Sequence, residues 1–277
     1  MLPRAAFRLA PPAPLALAFL TCLALAFCAA CAGPARGPGG QPSGPSSMLH
    51  SAPASPAATR AAPDALARAA ALLEDSPEMD PQAALELLAD RSEPEARLLA
   101  VRALRLLGRF DEAVAECNRL ILREPRLAQT FVERGLTFSA LGHGERGLED
   151  LRAALVLAPG DIDALLVQGD IFFMLERPAA AEDSYSQAIA LAPERPLAWI
   201  NRGVARDEQG RFEEAIADFT QALALDPAQA SALANRGVSR SQTGDMRGMC
   251  EDYVRACALG QCRRLLDARA MGYCDLP

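Results

Sequence analysis

The stretch AWINRGVARDEQGRFEEAIADFTQALALDP, residues 198–227, has apolar residues at helical spacing on both sides of Gly210. Two amphipathic stretches of about 13 residues that are separated by a glycine are typical of a helical hairpin. Gly203 and Ala215 are small enough to let the two helices approach closely, and Pro227 ends the second helix. This stretch therefore predicts two antiparallel helices that are joined by a short turn.

The features of this hairpin recur every 34 residues along the chain. The recurring prolines are Pro125, Pro159, Pro193 and Pro227, and the recurring glycines are Gly135, Gly169, Gly203 and Gly237. A fixed period of this length indicates a stack of hairpins, because one hairpin cannot bury its apolar face alone.

This repeat resembles the tetratricopeptide repeat, with small residues inside the hairpin and a proline at its end. The resemblance implies an all-α fold, a right-handed α-solenoid of about five hairpins. The expected segments are a degenerate leading hairpin at 63–93, five repeat units over 94–260 (94–127, 128–161, 162–195, 196–229 and 230–263) and a C-terminal cap at 261–277.

Residues 1–30 are predicted to be an export signal, since Arg4 and Arg8 precede an uncharged apolar run. The run ends in LAFCAACAG, which resembles the processing site of bacterial lipoproteins and implies that Cys31 is lipidated. Ordinary cleavage after Ala32 and an uncleaved membrane anchor are the alternatives. Residues 31–62 are rich in Ala, Pro, Gly and Ser, which predicts a disordered tether.

These features predict a protein of the bacterial cell envelope, lipid-anchored at the outer membrane and facing the periplasm. The net charge of −7 and the aromatic content of 5% argue against nucleic-acid binding. The sequence GHGERG, residues 142–147, matches a dinucleotide fingerprint but falls in the turn of a hairpin. Neither of the two histidines stands near a nucleophile, so we expect neither an enzyme nor a cofactor.

Three repeats carry an arginine where the family usually has an apolar residue, and an acid follows 16 residues later. The predicted ion pairs are Arg134 with Asp150, Arg202 with Asp218 and Arg236 with Asp252. The intervening repeat changes both positions together, to Gln168 and Ser184, whereas Ala100 and Glu116 of the first repeat break the rule. Antiparallel helices would place each pair across its own hairpin.

Four of the eight cysteines lie near the C-terminus, at Cys250, Cys257, Cys262 and Cys274. Export favours disulfides. Cys250 and Cys257 would lie about 10.5 Å apart along one helix, too far to bond each other. A capping helix that runs back after Gly260 predicts nested bonds, Cys257 with Cys262 and Cys250 with Cys274. Free core thiols and a metal site are the alternatives, and the latter would indicate a metal-binding or redox-sensing lipoprotein.

The family resemblance implies that the first helix of each repeat lines a concave groove. The expected groove residues are Leu98, Arg102, Val132, Leu136, Leu166, Asp170, Phe173, Met174, Ile200, Asn201, Val204, Ala234, Asn235 and Val238. Most are apolar, which favours binding of an apolar or amphipathic segment of an envelope protein. The asparagine amides would bond a peptide backbone. The alternatives are a groove filled by the chain's own N-terminal segment, or a structural lipoprotein without a fixed partner.

Overall fold

A computed structural model describes residues 62–74 and 79–274, all within one of the chain's two compact units. The expected signal peptide, lipidation site and tether lie outside these residues, apart from the tether's last position. The described residues form thirteen helices and no strand, in agreement with the all-α prediction. The helices are α1 Ala62–Ala71, α2 Pro81–Leu87, α3 Pro94–Leu106, α4 Phe110–Arg123, α5 Ala128–Ala140, α6 Gly144–Leu157, α7 Ile162–Met174, α8 Pro178–Leu191, α9 Pro196–Glu208, α10 Phe212–Leu225, α11 Ala230–Thr243, α12 Met246–Ala258 and α13 Arg263–Ala270.

The stretch at 198–227 forms the hairpin α9–α10, and its turn is at Gly210, where φ is 75°. A Cβ built on Gly203 would lie 2.7 Å from the Phe219 ring, so this position requires glycine for close helix packing. The equivalent turn of the hairpin α7–α8 has Glu176 with φ of 57° instead of a glycine. This conformation costs a non-glycine residue about 1–2 kcal/mol.

The odd-numbered helices form the inner layer of the stack. Each odd-numbered helix from α3 to α9 contacts the next odd-numbered helix as well as its own hairpin partner. The even-numbered helices pack on this layer. The first helices of successive repeats thus line one continuous surface, which is called the groove below. Its wall has four principal junctions, α3–α5, α5–α7, α7–α9 and α9–α11.

Both ends of the stack are covered by shorter helices. At the N-terminal end, α1 and α2 pack on α3 through a core that contains Leu73 and Leu88. At the C-terminal end, α13 packs on α12 through Leu265 and Ala268. The shortened leading hairpin and the capping helix therefore bury the apolar faces that the terminal repeats would otherwise expose.

Two disulfides hold the C-terminal cap. Cys250 is bonded to Cys274, and Cys257 is bonded to Cys262, which is the nested pairing expected from antiparallel helices. Because these four sulfur atoms are bonded in two pairs, they are not available as metal ligands. Within 62–74 and 79–274, no group of three or more His, Cys, Asp or Glu side chains could hold a metal ion.

Cys117 is the remaining cysteine of the described region, and it is a buried free thiol on α4. Burial raises the pKa of Cys117 to about 12, so the thiol stays protonated at neutral pH. None of the described helices is both long enough and apolar enough to cross a membrane.

Candidate functional site

Charged pairs join the two helices of three hairpins. In each pair the arginine Nε and Nη2 donate to the two carboxylate oxygens at 2.6 to 2.9 Å. The pairs are Arg134 with Asp150, Arg202 with Asp218 and Arg236 with Asp252. Bidentate arginine–carboxylate contacts fix geometry as well as contribute energy, so each pair sets the relative position of its two helices.

The same arginines also reach the preceding repeat, a contact that the sequence reasoning missed. Their Nη1 atoms donate to a side-chain oxygen of the previous even-numbered helix, at 2.7, 3.3 and 3.1 Å. The three acceptors are Asn118 for Arg134, Ser186 for Arg202 and Thr220 for Arg236. A signal for this contact is present in the sequence, since all three acceptors occupy the same register of the 34-residue period.

Two repeats depart from this pattern in different ways. In the hairpin α7–α8, Ser184 Oγ donates to Gln168 Oε1 at 3.2 Å, so a neutral hydrogen bond replaces the ion pair. In the hairpin α3–α4, Glu116 accepts from Arg97 Nε at 2.6 Å. Arg97 stands about one helical turn before the expected position, Ala100, so the first repeat keeps its acid and moves the cation.

The groove wall differs from the prediction at the fifth residue of four of the five repeats, the exception being Leu98. Val132, Leu166, Ile200 and Ala234 are only 3 to 9% exposed. They are part of the core clusters where neighbouring helices meet, so they cannot present free apolar surface to a partner. The prediction that they line an open groove is therefore corrected. Five of the remaining six apolar positions are half-buried, namely Leu98, Leu136, Phe173, Val204 and Val238.

The exposed side chains of the predicted groove set are few. Met174 is 48% exposed, and Arg102 and Asp170 are also exposed. On α7, Met174 follows the half-buried Phe173, and the first helices α3 and α9 each add one exposed apolar side chain that was not in the predicted set, Leu106 and Leu197.

A polar network that the sequence did not reveal crosses the groove wall at Asp170. Tyr185 Oη of α8 donates to Asp170 Oδ1 at 2.7 Å, and Asn201 Nδ2 of α9 donates to the same oxygen at 3.0 Å. Burial raises the pKa of Asp170, although these two donors oppose that effect. The Asn201 amide, which was expected to bond a partner's backbone, is therefore engaged within the chain. The other predicted amide, Asn235, is half-buried.

Comparison with known proteins identifies the repeat. The family model described as "Tetratricopeptide repeat" matches residues 196–229, and a second model with the same description matches residues 132–196. Human "Tetratricopeptide repeat protein 13" is 30% identical over 109 residues, which are 39% of this chain and 12% of the relative. The chain thus matches only a small part of that longer protein.

Solved structures resemble the described helices. A thermophilic TPR protein of Thermus thermophilus, TTC0263, is 23% identical with a TM-score of 0.56, covering 64% of this chain and 97% of that one. YrrB, described as "a TPR protein with an unusual peptide-binding site", is 18% identical with a TM-score of 0.53, covering 72% of this chain and 99% of that one. At these identities the likeness concerns the fold.

Proposed function

Because residues 132–229 match the tetratricopeptide-repeat family models, we propose that the chain acts as a binding scaffold, with a protein or peptide segment lying along the groove. One observation carries the proposal: the inner layer exposes apolar side chain at Met174, beside the half-buried Phe173, in the middle of the stack. Exposed apolar surface inside a concave wall is characteristic of interaction sites. Support for a peptide ligand comes from YrrB, which is described as having an unusual peptide-binding site.

The bound segment is proposed to be amphipathic rather than wholly apolar. The accessible apolar surface of the inner layer consists of separate exposed side chains, Leu106, Met174 and Leu197, since Val132, Leu166, Ile200 and Ala234 are already in the core. Full burial of a Met or Phe side chain contributes about 1.5–3 kcal/mol. Because Met174 and Phe173 are partly buried already, they supply only part of that amount, and polar contacts must supply the remainder of the affinity.

Site-specific photo-crosslinking tests the groove. A photoreactive amino acid at position 174 of the full chain, in the cells that produce it, should give a defined adduct whose partner is identified by mass spectrometry. The matched control is position 122, because Leu122 is 86% exposed but lies on α4 outside the inner layer. Equal adducts at both positions, or adducts only at 122, would place binding on another surface. Ile200 is unsuitable for such a test, because it is buried.

We further propose that the scaffold is exported and attached to the bacterial envelope through lipid on Cys31. The support is the apolar run that ends in LAFCAACAG, in which Cys31 follows two small residues. Labelling with a fatty-acid analogue should mark the wild-type chain and the Cys28→Ala variant, and both should sediment with membranes. Cys31→Ala should lose the label and either leave the membranes or accumulate unprocessed. Retained label in Cys31→Ala contradicts lipidation at this position.

A further inference from the structure

We infer that the segment bound in the groove carries a basic side chain, arginine or lysine, which pairs with the Asp170 carboxylate. This inference rests on the proposed function, since it concerns the chemistry of the ligand in the same groove. It names Asp170 as the residue that selects for the ligand's charge.

The structure holds the Asp170 carboxylate in a fixed orientation on the groove wall. Tyr185 from α8 and Asn201 from α9 both donate to Oδ1, so two neighbouring helices determine where this carboxylate points. The hydrogen bonds of the described residues leave Oδ2 without a donor, and Asp170 is exposed. An oriented carboxylate with one available oxygen is a suitable acceptor for a charged N–H donor.

Two other acids on the same wall already have cations, whereas Asp207 of α9 accepts from the neutral Ser239 hydroxyl. Glu133 of α5 pairs with Arg105 at 3.4 Å, and Asp163 of α7 pairs with Arg195 at 2.5 Å. None of the ion pairs within 62–74 and 79–274 includes Asp170, whose two donors are neutral. Its negative charge is therefore uncompensated at the centre of the groove, where a partner would lie.

The electrostatic environment of Asp170 supports this assignment. Although the residue keeps an exposed face, the surrounding helices remove water from around the carboxylate; this desolvation is the largest influence on the pKa of Asp170 and raises it, so the ionised form is stabilised less than in water. A cation from the ligand would restore that stabilisation. Met174 lies four residues after Asp170 on α7 and so projects from the same side of the helix. The fitting ligand therefore combines a basic residue with a neighbouring apolar one.

Selection from a displayed library of random dodecapeptides tests this inference with the full chain as bait. Three baits are compared: the wild type, Asp170→Asn and Asp163→Asn. The Asn side chain at 170 keeps the oxygen that Tyr185 and Asn201 contact but removes the charge. Asp163→Asn removes an acid from the same helix, but one that already has an arginine partner. Circular dichroism establishes that all three baits have the same helicity.

We expect peptides selected on the wild type and on Asp163→Asn to be enriched in arginine and lysine, and those selected on Asp170→Asn to lack this enrichment. For one selected peptide, replacing its basic residue with glutamine should weaken binding to the wild type about 10-fold, the usual scale of a hydrogen bond between charged groups. The same replacement should have little effect on binding to Asp170→Asn. This second measurement does not depend on how stable the variant is relative to the wild type.

Peptides that bind without basic enrichment, or whose enrichment survives in Asp170→Asn, would overturn the inference and leave the proposed function intact. A failure of all three baits to select any peptide would contradict the proposed function itself.

Discussion

The hairpins α7–α8 and α9–α10 are neighbours with the same backbone plan, but they are held together differently. In α9–α10, Asp218 accepts from both Arg202 and Arg206, and the turn has a glycine at 210. In α7–α8, a neutral bond between Gln168 and Ser184 takes the place of the ion pair. The comparison shows that the hairpin α7–α8 forms without an ion pair between its helices, so the charged pairs of the other repeats add local stability to a fold that does not depend on them.

The difference extends to the contact with the preceding repeat. Arg202 bonds Ser186 of α8, but the residue of α6 in the same register is Arg152. An arginine at position 168 would therefore face another cation, and this explains why Gln168 and Ser184 depart from the pattern together. The junction between α6 and α7 lacks the charged bond that the junction between α8 and α9 has.

The largest expected effect comes from breaking the charged hairpin. Asp218→Asn should lower the free energy of unfolding by about 3–5 kcal/mol, because it leaves two partly buried arginines without their common anion. Ser184→Ala in the neutral hairpin should cost about 0.5–1.5 kcal/mol, the range for one hydrogen bond. Native-state hydrogen exchange of α10 and α8 amides measures both changes locally. Equal losses would show that the charge adds nothing to this hairpin.

Rebuilding the charged pattern in α7–α8 sharpens the comparison. In a background with Arg152→Ser, the changes Gln168→Arg and Ser184→Asp should each destabilise alone, since each leaves an unpaired charge. Combined, they should show a favourable coupling energy of about 1–3 kcal/mol, measured by a double-mutant cycle in urea. The same cycle with Arg152 retained should give a smaller coupling, because the new arginine would face Arg152. A coupling near zero in both backgrounds would refute this account of the repeat.

The turn residues should produce a smaller effect. Glu176→Gly relieves a left-handed conformation but increases the entropy of the unfolded chain, so the net gain should be about 0.5–1 kcal/mol. Gly210→Ala places a Cβ at the equivalent turn and should cost about 1 kcal/mol. The midpoints of urea unfolding measure both. A Glu176→Gly variant that is less stable than the wild type would indicate that the Glu176 side chain contributes contacts of its own.

The smallest effect is on pH dependence, and two acids of the hairpin α7–α8, Asp170 on α7 and Glu182 on α8, should contribute with opposite signs. The raised pKa of Asp170 means that the folded state binds its proton more tightly, so this group makes stability fall as the pH rises above the ordinary Asp value. For Glu182, burial raises the pKa, but the hydrogen bonds from Arg206 and Gln209 lower it by more, so the net pKa lies below the ordinary value. Its contribution to stability is therefore lost as the pH falls below the ordinary Glu value.

Unfolding free energies of Asp170→Asn and Glu182→Gln, measured from pH 3 to 7, test these signs against the ordinary pKa values of about 3.9 and 4.3. Relative to the wild type, Asp170→Asn should gain stability with rising pH and Glu182→Gln should lose it. Parallel profiles for both variants would contradict the assigned directions.

The sequence was sufficient for the hairpins, because a period of 34 residues and the small residues within it reflect contacts inside one repeat. The ion pairs could be predicted for the same reason. Arg202 and Asp218 belong to one hairpin, and in the hairpin α7–α8 both equivalent positions differ, with Gln168 and Ser184 in their place. The burial of Ile200 could not, because it depends on how closely the next repeat approaches. The bond between Asn201 and Asp170 also joins two repeats, and no spacing within a repeat encodes it.

The third donor of each paired arginine has a consequence for how such a chain can be rearranged. Arg202 requires a side-chain acceptor in the hairpin before it, which Ser186 provides, and Arg236 requires one in α10, which Thr220 provides. A hairpin of this type is therefore not an interchangeable module. If α9–α10 were moved to follow α5–α6, its arginine would meet Arg152 in place of a hydroxyl group. Duplication or reordering of repeats thus conserves the fold only when the preceding hairpin supplies the matching acceptor, and the present order of the hairpins is fixed by side-chain chemistry at their junctions.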